Sequence, residues 1–148
     1  MRELVHGTCV ALGQRAALLR GESGSGKSDL ALRFLALPGE GDLAPRLVAD
    51  DQVWIDIDDG QAVASPPDTL GGLIEVRGLG IAEMPFVAAA ALVLVCELAV
   101  SDTVPRMPPD PWDRVLLAGA EIPALRLSAF EASAPLKLRM ALLQAPEQ

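Results

Sequence analysis

The sequence predicts one α/β domain over residues 1–148, with a mixed sheet that is rich in hairpins. Two observations support this prediction. A strand-like apolar run, 16–19, leads into a glycine-rich loop that opens a helix. Several short alternating segments are also separated by two-residue turn signals, which is typical of hairpins. A chain of 148 residues has an ordinary size for one domain and can bury a core.

The first half of the chain alternates strands and turns around one helix. The apolar segment 4–12 is predicted to turn at Gly13-Gln14 into a second strand, 16–20. A helix is predicted over 28–37, because apolar residues recur there at i, i+3 and i+4. Shorter strands are predicted, in order, at 46–49, 53–58, 62–64 and 73–76.

The second half has fewer elements. The apolar run 86–95 is predicted to be a buried strand with its approach, and 101–113 a long loop, since it contains four prolines. A strand at 124–127 and a helix at 135–143 follow. This number of strands and hairpins is too high for a plain alternating βαβ nucleotide kinase.

Composition excludes several classes of protein. Although 51% of the residues are hydrophobic, no apolar run approaches the roughly 20 residues of a membrane span. The N-terminus lacks a secretion signal. Cys9 and Cys96 lack metal-binding spacing, which favours a reduced, cytoplasmic location. The net charge of −8 argues against nucleic acid, whose phosphates require a basic surface.

The glycine-rich loop fills every fixed position of the phosphate-binding pattern G-x-x-x-x-G-K-[ST]. Glycines allow consecutive backbone N–H groups to turn inward and face an anion at the start of the helix. In such a P-loop the lysine contacts the β- and γ-phosphates and the hydroxyl ligates Mg²⁺. The sequence therefore predicts binding of a nucleoside triphosphate by Gly21, Glu22, Ser23, Gly24, Ser25, Gly26, Lys27 and Ser28.

Two places offer carboxylates for the metal and for proton transfer. Asp50-Asp51 follow a short apolar strand, and Glu97 follows the longer apolar run. The strand pattern alone does not separate them. The paired aspartates offer one group for magnesium and one for a proton, but they could equally form a solvated acidic turn.

A third feature lies at 73–81. Glu75 and Arg77 are two residues apart, so on a strand their side chains share a face. Gly78 and Gly80 then allow a tight backbone. By itself this pattern is typical of a surface ion pair.

In combination, these features resemble a known family. His6, the glycine-rich loop, Asp50-Asp51 and the segment 74–81 occur in the order seen in the catalytic domain of bacterial HPr kinase/phosphorylase. The resemblance spans roughly 6–114. Members phosphorylate a serine of the small carrier protein HPr with ATP, and can reverse the reaction with inorganic phosphate. The resemblance implies a nucleotide core like that of phosphoenolpyruvate carboxykinases, and a hexamer.

The resemblance also implies roles for individual residues. Asp51 matches the base that takes the proton of the target serine, and Asp50 a metal-side or supporting carboxylate. Arg114, in the weaker Asp-Arg match, corresponds to a catalytic arginine. The full set of catalytic candidates is His6, Lys27, Asp50, Asp51, Arg77 and Arg114, with Ser28 and Glu75 as magnesium ligands.

The sequence also departs from the family. Full-length members carry an N-terminal domain, whereas this chain resembles short forms that start at the catalytic domain. The match after Arg114 is loose and the C-terminal helix is shorter, so three questions stay open: the phosphorylase direction with phosphate or pyrophosphate, the docking of HPr, and the regulation. Which of Asp50 and Asp51 is the base also stays open.

Two other functions share the nucleotide site. A small-molecule P-loop kinase usually needs an arginine-rich lid, and only Arg106 and Arg114 lie near the long loop. A regulatory domain would bind the nucleotide without turnover. The three functions differ in the acceptor of the phosphoryl group. The acceptor is HPr for the first and a metabolite for the second, and the third transfers no phosphoryl group.

Overall fold

The computed structural model describes residues 1–67 and 71–146. A one-turn 3-10 helix at Ser101–Thr103 interrupts the long loop. The other elements are, in order, β1 Arg2–His6, β2 Thr8–Leu12, β3 Arg15–Arg20, α1 Lys27–Leu35, β4 Pro45–Ala49, β5 Gln52–Asp58, β6 Gln61–Ser65, β7 Leu73–Val76, β8 Gly80–Glu83, β9 Ala90–Leu98, β10 Asp113–Leu117, β11 Ala120–Leu127 and α2 Ala134–Gln144.

The strands form a mixed, curled sheet, as predicted. Its main path runs β1-β5-β6-β9-β3-β2-β4, and β9 also pairs with β11, which pairs with β10. β9 is parallel to both β3 and β11, while β7 and β8 form a separate two-stranded sheet. Hairpins join β2 to β3, β5 to β6, β7 to β8 and β10 to β11. The mixed α/β architecture is therefore confirmed.

The core lies on both faces of this sheet. Both helices cover one face, where α1 buries Leu30, Ala31 and Phe34. The other face packs on residues of β5, β6 and the β10–β11 hairpin. Arg15 donates from Nε to the Leu142 carbonyl at 2.8 Å, which satisfies one of the unpaired carbonyls at the end of α2. The end of α2 is thereby held on the sheet, at the end of β3 that lies away from the glycine-rich loop.

The two cysteines are buried within β2 and β9. Burial raises the pKa of the Cys9 thiol, and burial together with the neighbouring Glu97 charge raises the pKa of Cys96 to about 12. Both thiols therefore stay protonated at neutral pH, as inert apolar groups.

Among the described residues the α-helices have 9 and 11 residues, and neither reaches the roughly 20 that cross a bilayer.

The structure corrects several strand predictions, and the strand β8, Gly80–Glu83, was not predicted. The segment 4–12 is two strands, because the chain changes neighbours at Gly7: β1 pairs with β5, and β2 with β3 and β4. β7 ends at Val76, so Arg77 lies in a turn and does not share a strand face with Glu75. The strand β10 was not predicted, because its turn uses Ala118 and Gly119, both at positive φ, in place of the usual Asn-Gly.

Candidate functional site

The glycine-rich loop joins the end of β3 to the start of α1. Gly24 and Gly26 have φ of 84° and 95°, which residues with a Cβ rarely adopt. A Cβ added to Gly26 would also lie 2.8 Å from Ala129 Cβ. Both glycines are therefore required by the backbone path, as the pattern predicted.

The loop suits an anion. Gly26, the N-cap of α1, supplies no side-chain hydrogen bond to the first turn of the helix, so the N–H groups there are available to a ligand. Lys27 Nζ donates to the carbonyls of Gly21 at 2.7 Å and Glu22 at 3.0 Å. The ammonium group is thus held against the loop itself, where a phosphate would need it.

Asp50 joins three elements of the site. Its Oδ1 accepts hydrogen bonds from Thr8 Oγ1 at 3.0 Å and Ser28 Oγ at 3.2 Å. Its Oδ2 accepts from the backbone N–H of Glu75 at 3.0 Å. The carboxylate therefore ties β2, α1 and β7 together, and it bonds to Ser28 and to the backbone of Glu75, the two predicted magnesium ligands.

Asp51 has a different environment. Its φ of 72° is left-handed, a conformation that aspartate and asparagine tolerate better than most residues. The side chain is 75% exposed, and Oδ1 lies 3.4 Å from Nδ1 of His6. Adjacent aspartates therefore differ in role: Asp50 organises the site, and Asp51 presents a carboxylate to solvent beside an imidazole.

Thr8 was not predicted as a site residue. It is 1% exposed and opens β2, in which every residue is buried. A single hydroxyl in a fully buried strand needs a hydrogen-bond partner, and this was the available signal. The partner, Asp50, lies 42 residues away in sequence, so its identity could not be read from the local pattern.

The two arginine candidates lie on the β7–β8 turn and on β10. Arg77 is exposed in the β7–β8 turn, where the Leu79 N–H donates to the Val76 carbonyl at 2.9 Å. Arg114 lies on β10, three strands from β3 along β3-β9-β11-β10, or about 14 Å at the usual strand spacing. The catalytic roles of both arginines stay predictions.

Glu97, the alternative acid, is engaged elsewhere. Its Oε1 lies 2.5 Å from Nη2 of Arg20, the last residue before the loop. This pairing places Glu97 beside the loop, on the side away from Asp50 in the strand order. The geometry therefore favours the paired aspartates over Glu97 for the acceptor side of the site.

The Asp50 junction leads to a prediction about stability. Asp50→Asn replaces one acceptor oxygen with an NH₂ group that faces a donor, so we expect a loss of about 1–3 kcal/mol in the free energy of unfolding. Urea denaturation measures this loss. The matched Asp51→Asn change, at an exposed side chain, is expected to stay within about 0.5 kcal/mol of wild type. Equal stability of the two variants would contradict a structural role for Asp50.

Comparison with known proteins gives a family. A family model described as the HPr Serine kinase C-terminal domain matches residues 1–93. This span contains His6, the glycine-rich loop, both aspartates and the segment 74–81. It ends before Arg114, so the match adds no support for that residue.

Individual relatives agree with the family model. The HPr kinase/phosphorylase of Clostridium tetani is 39% identical over 90 residues, which are 61% of this chain and 28% of that protein. For Enterococcus faecalis the identity is 36% over 94 residues, which are 63% of this chain and 28% of that protein. This chain thus spans about a quarter of the length of these relatives.

A solved structure shares the fold over almost the whole chain. The HPr(Ser) kinase/phosphatase from Coxiella burnetii matches 95% of this chain and 88% of its own, with a TM-score of 0.79 at 20% sequence identity. The similarity extends beyond residue 93 to β10, β11 and α2. The family model and the residues that it spans show that the chain belongs to the HPr serine kinase family, in the part that corresponds to the C-terminal domain.

Proposed function

We propose that this chain is an ATP-dependent protein-serine kinase that acts on HPr. The observation that supports this proposal is that the two adjacent aspartates have different contacts. Asp50 ties Ser28 of the loop helix to the backbone of Glu75, and Asp51 presents an exposed carboxylate beside that junction. Nucleotide, metal and acceptor hydroxyl therefore have adjacent places.

The glycine-rich loop acts as a P-loop in this proposal. Backbone N–H groups of 21–28 hold the triphosphate, and the Lys27 ammonium turns from the carbonyls of Gly21 and Glu22 toward the phosphates. The nucleotide core is then organised as in phosphoenolpyruvate carboxykinases. Arg77 and Arg114 receive no step in this proposal, and their catalytic roles stay predictions.

Magnesium fits the residues around Asp50. Ser28, Asp50 and Glu75 supply a hydroxyl and two carboxylates, oxygen ligands of the kind that Mg²⁺ uses together with phosphates and water. Among the described residues there is no cluster of three or more acidic, His or Cys groups that would suit a fully protein-bound metal. When bound, the ion neutralises charge on the β- and γ-phosphates.

Asp51 performs the proton step. The serine oxygen of HPr forms a bond to the γ-phosphorus, the bond from that phosphorus to ADP breaks, and the hydroxyl proton passes to Asp51. In the phosphorolysis direction an oxygen of inorganic phosphate forms a bond to the phosphorus of phosphoserine, and the bond from that phosphorus to the seryl oxygen breaks. Pyrophosphate leaves, and protonated Asp51 gives its proton to the seryl oxygen. His6, with Nδ1 at 3.4 Å, orients the Asp51 carboxylate.

One incubation separates this proposal from its alternatives. The purified chain is mixed with γ-labelled ATP, magnesium, HPr and a fraction of small metabolites. Acid-stable label on HPr supports the proposal, and label on a metabolite supports a small-molecule kinase. Tight binding of ATP without any transfer supports a regulatory nucleotide-binding domain. A cytoplasmic location, where ATP and reduced thiols are found, stays part of the proposal.

Glu75→Gln tests the magnesium site. The change removes one negative charge at an exposed side chain and leaves its backbone N–H free to keep the Asp50 bond. We expect the fold to stay intact and half-maximal activity to need about tenfold more magnesium. A magnesium titration of the transfer rate measures the shift, with Glu83→Gln on β8 as the control. If Glu75→Gln depends on magnesium as wild type does, Glu75 is a surface residue and not a magnesium ligand.

Assembly is a further part of the proposal. The β7–β8 hairpin exposes 87% of Leu79 and 67% of Ile81, and exposed apolar side chains next to one another are typical of contact surfaces. We expect an oligomer, with six chains as the family resemblance implies. Light scattering at working concentration measures the mass, and the mass of a single chain would contradict the expectation.

A further inference from the structure

A cavity of about 550 Å³ lies beside the glycine-rich loop, outside the residues assigned so far. Its walls come from the proline-rich loop, the β10–β11 hairpin and the start of α2. We propose that this cavity, the nucleoside cavity, binds the purine base and ribose of ATP. The inference rests on the proposed function, because it needs the triphosphate to occupy the loop.

One wall of the cavity is shared with the first residue of the loop. Glu97 lines the cavity and is paired with Arg20 at 2.5 Å, immediately before Gly21. A Cβ on Gly21 would lie 3.4 Å from Leu98 Cβ. The end of β9 therefore separates the cavity from the loop by no more than one layer of side chains.

A second shared wall follows β11. Gly26 packs against Ala129 and Phe130, and Arg33 of α1 donates to the carbonyls of Ala129 and, at 3.2 Å, Glu131. Glu131 in turn lines the cavity. The segment 128–131 is thus fixed to the loop helix on one side and faces the cavity on the other.

The direction of the nucleotide supports the same place. Asp50 and Asp51 follow β4, which lies two strands from β3 in the order β3-β2-β4. For the γ-phosphate to face Asp51, the nucleoside end must leave the loop on the opposite side, toward β9 and β11. The nucleoside cavity lies there, at the carboxyl ends of these parallel strands, where ligands of open α/β sheets bind.

The chemistry of the lining suits a neutral group with hydroxyls. The cavity has room for a nucleoside, since small-molecule sites typically enclose about 300–1,000 Å³. Valine, leucine and proline side chains supply apolar surface for a base, and carboxylates accept hydrogen bonds from ribose hydroxyls. The charges cancel, so the lining does not favour a free anion: the cations are Arg106, Arg126 and Lys137, and the acids are Glu97, Asp113 and Glu131.

A second cavity does not compete for this role. It measures about 400 Å³ and is lined by Arg15, Asp59 and Gly60, among others. Arg15 begins β3 and Arg20 ends it, so this cavity lies about 17 Å from the loop at the usual rise per residue. It opens at the wrong end of the strand for a group attached to the phosphates.

Calorimetry with ATP and inorganic tripolyphosphate tests the inference. Leu125→Trp places a larger side chain at a half-buried position that lines the cavity. Leu116→Trp, at 66% exposure on the same hairpin and outside the lining, is the control. For wild type and Leu116→Trp we expect ATP to bind at least about tenfold more tightly than tripolyphosphate. For Leu125→Trp we expect the two affinities to become equal, with tripolyphosphate binding unchanged.

The outcomes separate this inference from the proposed function. If wild type binds neither ligand, the P-loop assignment fails. If wild type binds both equally well, or Leu125→Trp keeps the preference for ATP, the nucleoside cavity is wrong while the loop stands. Photolabelling of wild type with 8-azido-ATP, followed by peptide mapping, does not depend on any variant. Label within 104–137 that tripolyphosphate displaces supports the inference, and label elsewhere overturns it.

Discussion

Asp51→Asn is expected to slow phosphoryl transfer to HPr by about 10²–10⁴-fold, the range that a positioned proton acceptor supplies. Asparagine has nearly the same shape, and it tolerates the φ of 72° at this position. The variant loses only the ability to take up the proton. Single-turnover transfer at saturating ATP and magnesium measures the effect, and calorimetry is expected to show wild-type binding of the ATP–magnesium complex.

A second aspartate provides a matched control for this prediction. Asp59 is exposed and has a φ of 51° in the β5–β6 turn, so Asp59→Asn makes the same change in the same kind of backbone. We expect its transfer rate to equal that of wild type. Near-normal transfer by Asp51→Asn would place the base elsewhere. Glu97 is the next carboxylate to test, although its Oε1 is already paired with Arg20.

Lys27→Ala is expected to abolish transfer and to weaken ATP binding by about 2–5 kcal/mol, the cost of removing one member of a close charge pair. Its ammonium group is the cation that the structure holds at the loop, against Gly21 and Glu22. Without it, the loop keeps its backbone dipoles but loses this side-chain charge opposite the phosphates. Calorimetric titration with ATP measures the loss.

The control for Lys27 removes a similar charge at a distance. Arg46 lies at the start of β4 and donates only to the neighbouring Pro45 carbonyl among the bonds that the structure describes for it. We expect Arg46→Ala to bind ATP as wild type does. Unchanged ATP affinity in Lys27→Ala would show that the glycine-rich loop is not a phosphate site, and the proposed function would fall with it.

Local signals predicted much of the fold. The loop helix and the β5–β6 hairpin follow from motif, periodicity and the Asp59-Gly60 turn, which act over a few residues. The break at Gly7 could not be predicted in the same way. It reflects a change of partner strand, and a partner such as β5 begins 45 residues after Gly7. The β10–β11 hairpin lacked a strong turn signal for its Ala118-Gly119 corner.

The candidate site shows the same division between local and distant information. The phosphate-loop pattern identified Ser28, the end of a strand identified Asp50, and the family resemblance identified Glu75. The structure shows Asp50 bonded to Ser28 and to the backbone N–H of Glu75. The different roles of Asp50 and Asp51 depend on donors from distant strands, so the sequence left them open. The strand 73–76 was predicted with its observed bounds, but the expected shared face of Glu75 and Arg77 needed the strand to continue past Val76, where β7 ends.

Peptide-level mass spectrometry of HPr tests the central claim most directly. HPr is incubated with the purified chain, ATP and magnesium, and in parallel with the Asp51→Asn variant. The account predicts one phosphoserine on HPr with the wild-type chain, and none over the same time with the variant. HPr that stays unmodified with wild type, or that gains the phosphoserine equally fast with Asp51→Asn, would contradict it.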